Sequence, residues 1–189
     1  MRVDVVSSNS SLFENRKASR GRLAHTAKSF EPEPFELVTL APRTAVVMRS
    51  RSTAADLPRG FFHRYELIAR HLRERGLEPA SDPFAIYDNM DGNAADVVAG
   101  FVVDGEVAGA DGILVEHMPG VTMATLLHRG AYSNIDASYH RLLECIHEQG
   151  LTRSGRFMET YLNDPFVTAD ADLRTMLMVP VGPLSANDL

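Results

Sequence analysis

Hydrophobic and polar positions alternate along this chain with two different periods. Short apolar runs bounded by turn residues indicate strands, and apolar residues at helical spacing indicate helices. One helix is predicted from Leu57 to Arg75, before Gly76, and a second from Ser133 or Asn134 to Gly150. Strands are predicted over residues 44–49, 83–87, 96–103, 121–128, 156–162 and 173–181. The pattern therefore predicts an α+β fold in two similar rounds.

The two rounds match when the first is shifted by 74 residues. The shift places Tyr65 on Tyr139, Gly76 on Gly150 and Tyr87 on Tyr161. It predicts a tandem repeat of strand-helix-strand-strand units, with antiparallel sheets related by a pseudo-twofold axis and a ligand cleft between them. The same shift places Ala85 on Glu159, so only the second unit has a carboxylate at that position.

The domain organisation follows from composition. Residues 1–35 are rich in Ser, Asn and Arg and are predicted to be a flexible tail. A single domain is predicted over 36–182, with repeat halves at about 36–104 and 119–182, followed by a short C-terminal tail at 183–189.

Charge and apolar content limit the function classes. The 189 residues carry a net charge of −6, and residues 1–36 hold six of the Lys and Arg residues and five of the Asp and Glu residues. The acidic body is a poor match for a phosphate backbone, so no direct nucleic-acid binding is predicted. No run reaches the length of a membrane span, and the lone Cys145 fits a reducing cytoplasm and a structural thiol.

The segment 157–165 holds the leading candidate site. Strand alternation places Phe157, Glu159 and Tyr161 on one side, where a carboxylate between aromatic rings would suit a flat or cationic ligand. The alternative is a solvated glutamate on an edge strand. Tyr87, matched to Tyr161 by the repeat, is a further candidate. Tyr132 is another, because the turn at Gly130 would bring it near the cleft.

The spacing of residues does not indicate a metal site, a phosphate-binding loop or a catalytic nucleophile. The histidines are scattered, no glycine-rich phosphate loop is present, and no strand-Ser-helix turn presents a nucleophile. We therefore predict no metal and no cofactor. Glu159 could bind a cation, or it could act as a general acid or base, and the residues leave both open.

Five motifs in order give the chain a family resemblance. They are Ala41-Pro42-Arg43, Pro83-Phe84-Ala85-Ile86-Tyr87, His128-Arg129-Gly130-Ala131-Tyr132, 159–165 and 175–181. The chain resembles the GyrI-like small-molecule-binding domain, also described as the effector-binding domain of bacterial transcription activators. The resemblance implies that Glu159 is the acidic recognition residue of the pocket and that Tyr161 is its aromatic neighbour. Ala131 replaces the proline usual in the family.

The resemblance implies three kinds of function. The first is a stand-alone sensor or sequestering domain that binds a hydrophobic, aromatic or cationic compound. The second is a hydrolase that acts on electrophilic, cyclopropane-type natural products, with Glu159 as its catalytic residue. The third is a modulator of a protein partner such as a topoisomerase.

Overall fold

The computed structural model describes residues 34–53, 57–91 and 94–183. The α-helices in these ranges are α1 (Leu57–Arg73) and α2 (Ile135–Glu148), and short 3-10 turns occupy Tyr132–Asn134 and Asp170–Asp172. The strands are β1 (Phe35–Leu40), β2 (Arg43–Thr53), β3 (Phe84–Asp91), β4 (Ala94–Val103), β5 (Ile113–Met118), β6 (Val121–Arg129), β7 (Leu151–Arg153), β8 (Phe157–Tyr161) and β9 (Arg174–Pro183). The predicted mixed α+β class is confirmed.

The strands form one antiparallel sheet in the order β1-β6-β9-β8-β3-β4-β2-β5, with β7 paired to β9. The two predicted units, β2-α1-β3-β4 and β6-α2-β8-β9, occupy opposite halves of this order. They meet where β3 pairs with β8, so the halves share a continuous sheet. This arrangement is compatible with a duplication about a twofold axis.

The register of the central pair shows where such an axis would lie. Ala85 is the direct cross-strand partner of Glu159, and the flanking pairs are Phe84 with Thr160 and Ile86 with Met158. Because Ala85 and Glu159 also correspond under the shift of 74 residues, an axis relating the halves would pass between them. The only acidic residue of the central strand β8 therefore lies at the junction of the two halves.

Both helices pack on the same face of the sheet as Glu159. Ile68 and Leu72 of α1 cluster with Val46 and Phe101, and Leu142 of α2 belongs to a second cluster. The further buried members of the second cluster are Ala124, Leu126, Ile135, Ile146, Phe157, Leu177, Val179 and Val181. Full burial of each large aliphatic side chain contributes about 1.5–3 kcal/mol to folding. These two clusters fix the helices on either side of the central strands.

The opposite face of the sheet carries its own apolar cluster. Val47, Phe84, Met123 and Met158 are buried there, and neither α1 nor α2 contributes to it. Met158 lies on this face while its neighbours Phe157 and Glu159 face the helices, which confirms the predicted alternation along β8.

The helix ends agree with the sequence, whereas several edge strands were not predicted. Gly76 and Gly150 follow the two helices with φ values of 70° and 67°, a left-handed conformation that favours glycine. Asn134 precedes α2 without a side-chain cap, because the 3-10 turn leads into the helix instead. Strands β1, β5 and β7 were missed because they lie at the margins of the sheet, where apolar alternation is weak.

The predicted tails are largely outside the described residues. Of residues 1–35 only Pro34 and Phe35 are described, and Phe35 already belongs to β1. Of residues 183–189 only Pro183 is described, at the end of β9. Neither α1 nor α2 has the length and apolar character of a membrane-spanning helix.

Candidate functional site

Glu159 is a buried carboxylate held by tyrosine hydroxyls. Its side chain is 6% exposed, at the centre of β8. Tyr139 of α2 donates a hydrogen bond of 2.7 Å to Oε1, and Tyr161 donates one of 2.8 Å to Oε2. Tyr87 of β3 approaches Oε2 at 3.1 Å. Three separate elements therefore supply donors to one carboxylate, which rules out the alternative of a solvated edge-strand glutamate.

The contacts at Oε2 form a triangle. The hydroxyls of Tyr87 and Tyr161 are 2.7 Å apart, so each phenol oxygen contacts the other as well as Glu159. The hydroxyls of Tyr87 and Tyr161 each have one hydrogen to donate, so two hydrogens are shared among the three oxygen–oxygen contacts of the triangle. The contact between Tyr87 and Glu159 is the longest of the three. Tyr87 can therefore leave Glu159 and still donate to Tyr161.

Aromatic rings from both halves enclose the carboxylate. Phe61 of α1 packs against Tyr87 and Tyr161, with ring centroids 6.3 and 5.9 Å apart. Tyr65 stacks on Phe61 at 5.9 Å and donates its hydroxyl hydrogen to the carbonyl oxygen of Phe84 at 2.8 Å. Tyr132 meets the ring of Tyr161 edge-on at 6.2 Å. The result is an aromatic enclosure, here defined as Phe61, Tyr65, Tyr87, Tyr132, Tyr139 and Tyr161.

Electrostatics keep the tyrosines in their neutral, donating form. Burial raises the pKa of Tyr87, Tyr139 and Tyr161 well above the usual range, and the charge of Glu159 raises each of these pKa values further. The ion pairs found in the described ranges do not include Glu159. The charge of Glu159 is thus balanced by hydroxyl dipoles and not by a basic side chain of the described residues.

The residues predicted for the site fall into two groups. Tyr87 and Tyr161 contact Glu159 directly, and Tyr132 reaches the site through the ring of Tyr161. Phe157 shares the face of Glu159 but packs against Tyr139 at 5.0 Å, with the guanidinium of Arg153 5.0 Å above its ring. Phe157 therefore borders the site from the core of the second half.

Sequence reasoning missed Tyr139, Phe61 and Tyr65 as site residues. Their helical spacing with other apolar residues places all three on the buried sides of the predicted helices, and the shift of 74 residues identifies Tyr65 and Tyr139 only as counterparts in the repeat. A tyrosine at the same position of both helices was the available signal, since a buried phenol needs a hydrogen-bond partner.

The Asn-Asp-Pro segment after β8 orders the loop that leads to β9. The Asn163 side chain donates to the carbonyl of Asp172 at 2.9 Å and accepts from the backbone N–H of Arg174 at 3.0 Å. Asp164 accepts from the N–H of Phe166 at 2.8 Å. Phe166 then packs on Phe62 of α1, with centroids 4.9 Å apart. The loop thereby ties the second half to the helix that carries Phe61.

A cavity and a cysteine lie in the described residues apart from the site around Glu159. A cavity of about 230 Å³ between α1 and β5 is lined by residues that include Arg70, His71 and Asp111, none of them in the aromatic enclosure. Across the described ranges, no group of three or more His, Cys, Asp or Glu residues is arranged to hold a metal ion. Cys145 is buried on α2.

Several solved structures have the same fold as this chain. The EcmrR–DNA complex in EcmrR-RPo matches with a TM-score of 0.69 and 17% identity, over 80% of this chain and 58% of EcmrR. The EcmrR C-terminal domain alone matches with a TM-score of 0.65 and 18% identity, over 80% and 99% of the two chains. This chain therefore spans little more than half of the EcmrR chain in the DNA complex.

Two further structures share the fold at similar coverage. A hydrolase from Listeria innocua matches with a TM-score of 0.64 and 10% identity, over 82% of this chain and 94% of that one. SAV2435 bound to tetraphenylphosphonium matches with a TM-score of 0.56 and 16% identity, over 82% and 99%. At these identities the likeness establishes the fold alone.

Sequence comparison identifies the family. No curated protein sequence shows significant similarity to this chain. The family model for the GyrI-like small molecule binding domain matches residues 33–182, which include every strand and helix described above except the last residue of β9. This chain belongs to the GyrI-like small-molecule-binding domain family.

Proposed function

We propose that this protein binds a hydrophobic aromatic cation at Glu159, as a sensor or sequestering domain. The observation that carries the proposal is a buried carboxylate with aromatic rings around it and no ion pair among the described residues. A cation over aromatic faces gains electrostatic attraction, and the gain grows as water is excluded. Glu159, Tyr161, Tyr87, Tyr132 and Phe157 remain the proposed ligand-binding residues, with Tyr139 and Phe61 added.

The hydrogen-bond triangle suggests how the ligand reaches the acid. Tyr87 makes the longest contact to Oε2 and can keep its bond to Tyr161 when it moves. Its displacement leaves one side of Oε2 open to a cation, while Tyr139 and Tyr161 continue to stabilise the carboxylate. The ligand then replaces a weak contact, which lowers the free-energy cost of opening the closed site.

The test compares a cation with a neutral molecule of similar shape. Glu159→Gln is expected to weaken binding of tetraphenylphosphonium by about 30-fold or more, because a charge interaction in a buried site contributes at least 2 kcal/mol. Binding of neutral triphenylphosphine oxide should change by only a few-fold. Isothermal titration calorimetry measures both, and circular dichroism verifies the fold of the variant. Equal losses for the two compounds would disprove recognition of charge.

A hydrolase is the alternative proposal, supported by the short contacts of Tyr139 and Tyr161 to Glu159. In that role Glu159 would take a proton from water, and a tyrosine would donate to the leaving group. Mass spectrometry of a reactive cyclopropane compound incubated with the protein tests for turnover. Turnover that survives Glu159→Ala would exclude Glu159 as the catalytic residue.

We also propose a protein partner and a cytoplasmic location. The acidic balance of the chain supports contact with a basic surface, such as that of a DNA-binding enzyme. The buried, unpaired Cys145 agrees with a reducing compartment. Co-purification with a topoisomerase, tested beside binding of tetraphenylphosphonium, would separate the partner role from the ligand role.

A further inference from the structure

Thr175 carries a buried hydroxyl without a hydrogen-bond partner. The residue is 0% exposed, in β9 on the second half of the sheet. Its Oγ1 is fully enclosed and forms no hydrogen bond within the described part of the chain. Buried hydroxyls nearly always have a partner, because an unsatisfied one has lost its bonds to water without replacement.

The register places this hydroxyl beside the aromatic enclosure. Thr175 is the direct cross-strand partner of Tyr161 on one side and of His128 on the other. Paired residues of neighbouring strands share a face, so Thr175 lies on the face of Glu159. Glu159 itself is opposite Leu177, two positions along β9. Thr175 is therefore the diagonal neighbour of Glu159, about 7–8 Å away across the strands.

The polar neighbours of Thr175 are occupied elsewhere. His128 contacts Ser138 Oγ at 2.8 Å through Nδ1 and the carbonyl of Ala131 at 3.3 Å through Nε2. The hydroxyl of Tyr161 contacts Tyr87 and Glu159. The next inward-facing residues of β9, Leu177 and Val179, are apolar and fully buried. A valine at 175 would have the same shape as threonine without the unsatisfied oxygen.

We propose that Thr175 is a specificity-determining residue of the ligand site. Its hydroxyl hydrogen-bonds a polar group of the ligand while Glu159 holds the positive charge. The preferred ligand is thus an aromatic cation with a hydroxyl, amine or carbonyl group about 7 Å from the charge. Tyr161 is the cross-strand partner of Thr175, and its ring packs edge-on against that of Tyr132. This inference rests on the proposed function and adds the second polar contact of the ligand.

The experiment uses tetraphenylphosphonium and its 2-, 3- and 4-hydroxyphenyl analogues, which differ by one oxygen. The wild-type protein is expected to bind at least one hydroxy analogue about five- to tenfold more tightly than the parent, as one net hydrogen bond allows. In Thr175→Val that preference should fall to about one, and Thr175→Ser should restore it. Calorimetry gives the ratios of dissociation constants.

Thermal unfolding without ligand supplies an independent readout. Thr175→Val should raise the melting temperature by about 3–6 °C, because it removes an unsatisfied buried hydroxyl. Thr125→Val is the matched control. Thr125 is also buried, but its hydroxyl donates to the carbonyl of Glu36 at 3.3 Å, and its cross-strand partner is Met178 on the opposite face. This control should not raise the melting temperature and should keep the wild-type preference.

Three results would overturn the proposal. The first is a wild-type protein that prefers no hydroxy analogue, and the second is a Thr175→Val variant that keeps the preference. The third is a Thr175→Val variant that melts below wild type, which would show that the hydroxyl has a partner in the free protein. Each of these leaves charge recognition by Glu159 intact. Failure of the proposed function is distinct, since tetraphenylphosphonium binding would then not depend on Glu159.

Discussion

Ala85 in the first half and Glu159 in the second face each other across neighbouring strands, although the same framework surrounds both. Each half contributes a tyrosine from its helix and a tyrosine from its central strand. In the first half the helix tyrosine, Tyr65, donates to a backbone carbonyl, whereas its counterpart Tyr139 donates to the carboxylate. The two strand tyrosines, Tyr87 and Tyr161, both reach Glu159.

This difference shows how two halves with corresponding tyrosines can hold a single central charge. Because Ala85 and Glu159 are direct partners at the junction, donors from both halves converge on the same acid. A second carboxylate at position 85 would lie within about 5 Å of the first in a buried setting, where like charges repel strongly. We therefore expect the site to require an uncharged residue opposite the acid.

The largest expected effect comes from placing an acid in both halves. Ala85→Glu should lower the free energy of unfolding by about 3–5 kcal/mol, the range for an uncompensated buried charge. The double variant Ala85→Glu with Glu159→Ala should recover much of that loss, because Tyr87 and Tyr161 can then serve the acid from the other side. Urea unfolding measures both.

Ala85→Gln provides the control for size, since it adds similar volume without charge. If Ala85→Gln is as destabilising as Ala85→Glu, steric crowding and not charge repulsion sets the identity of residue 85. A double variant no more stable than Ala85→Glu would show that the first half cannot hold the acid.

A smaller expected effect is a difference in stability cost between removing the hydroxyl of Tyr139 and removing that of Tyr65. Tyr139→Phe removes a hydrogen bond to a buried carboxylate and should cost about 1.5–3 kcal/mol of stability. Tyr65→Phe removes a bond to a neutral carbonyl and should cost about 0.5–1.5 kcal/mol. Urea unfolding of the two variants gives the difference. Equal costs would mean that the charge of Glu159 does not strengthen the bond from Tyr139.

The smallest effect is confined to alkaline pH. Burial and the charge of Glu159 hold the pKa values of Tyr65, Tyr87, Tyr139 and Tyr161 above the usual range near 10. The folded state therefore retains these phenol protons more tightly than the unfolded state. The resulting stability is fully present below about pH 10 and is lost as the pH rises toward the folded-state pKa values.

Absorbance of tyrosinate during an alkaline titration measures this effect. In the wild type the four buried tyrosines should ionise only as the protein unfolds. Glu159→Gln should move that ionisation to lower pH, since it removes the negative charge and leaves the burial. Ionisation of all five tyrosines near pH 10 in the folded wild-type protein would contradict the closed arrangement of the site.

The sequence alone determined the face of Glu159 and much of the local geometry, and it predicted a repeat with which the structure is compatible. These conclusions rest on patterns that are visible in the sequence itself. They are the match at a shift of 74 residues, the alternation along 157–161 and the glycines at 76 and 150. They led to Glu159, Tyr161 and Tyr87, all of which the structure brings together. The edge strands β1 and β5 gave no such pattern, since their stability depends on pairing with β6 and β2.

Only the tertiary structure decided which groups surround the acid. Cross-strand register is a long-range property, so nothing near residue 159 shows that Ala85 is its partner or that Thr175 is its diagonal neighbour. Helix packing turned Tyr139 toward Glu159, whereas its helical spacing showed only that it is buried. The sequence identified Glu159 as the acid of the candidate site. The packing of two halves against each other decided that hydroxyls and aromatic rings, and not a basic residue, surround it.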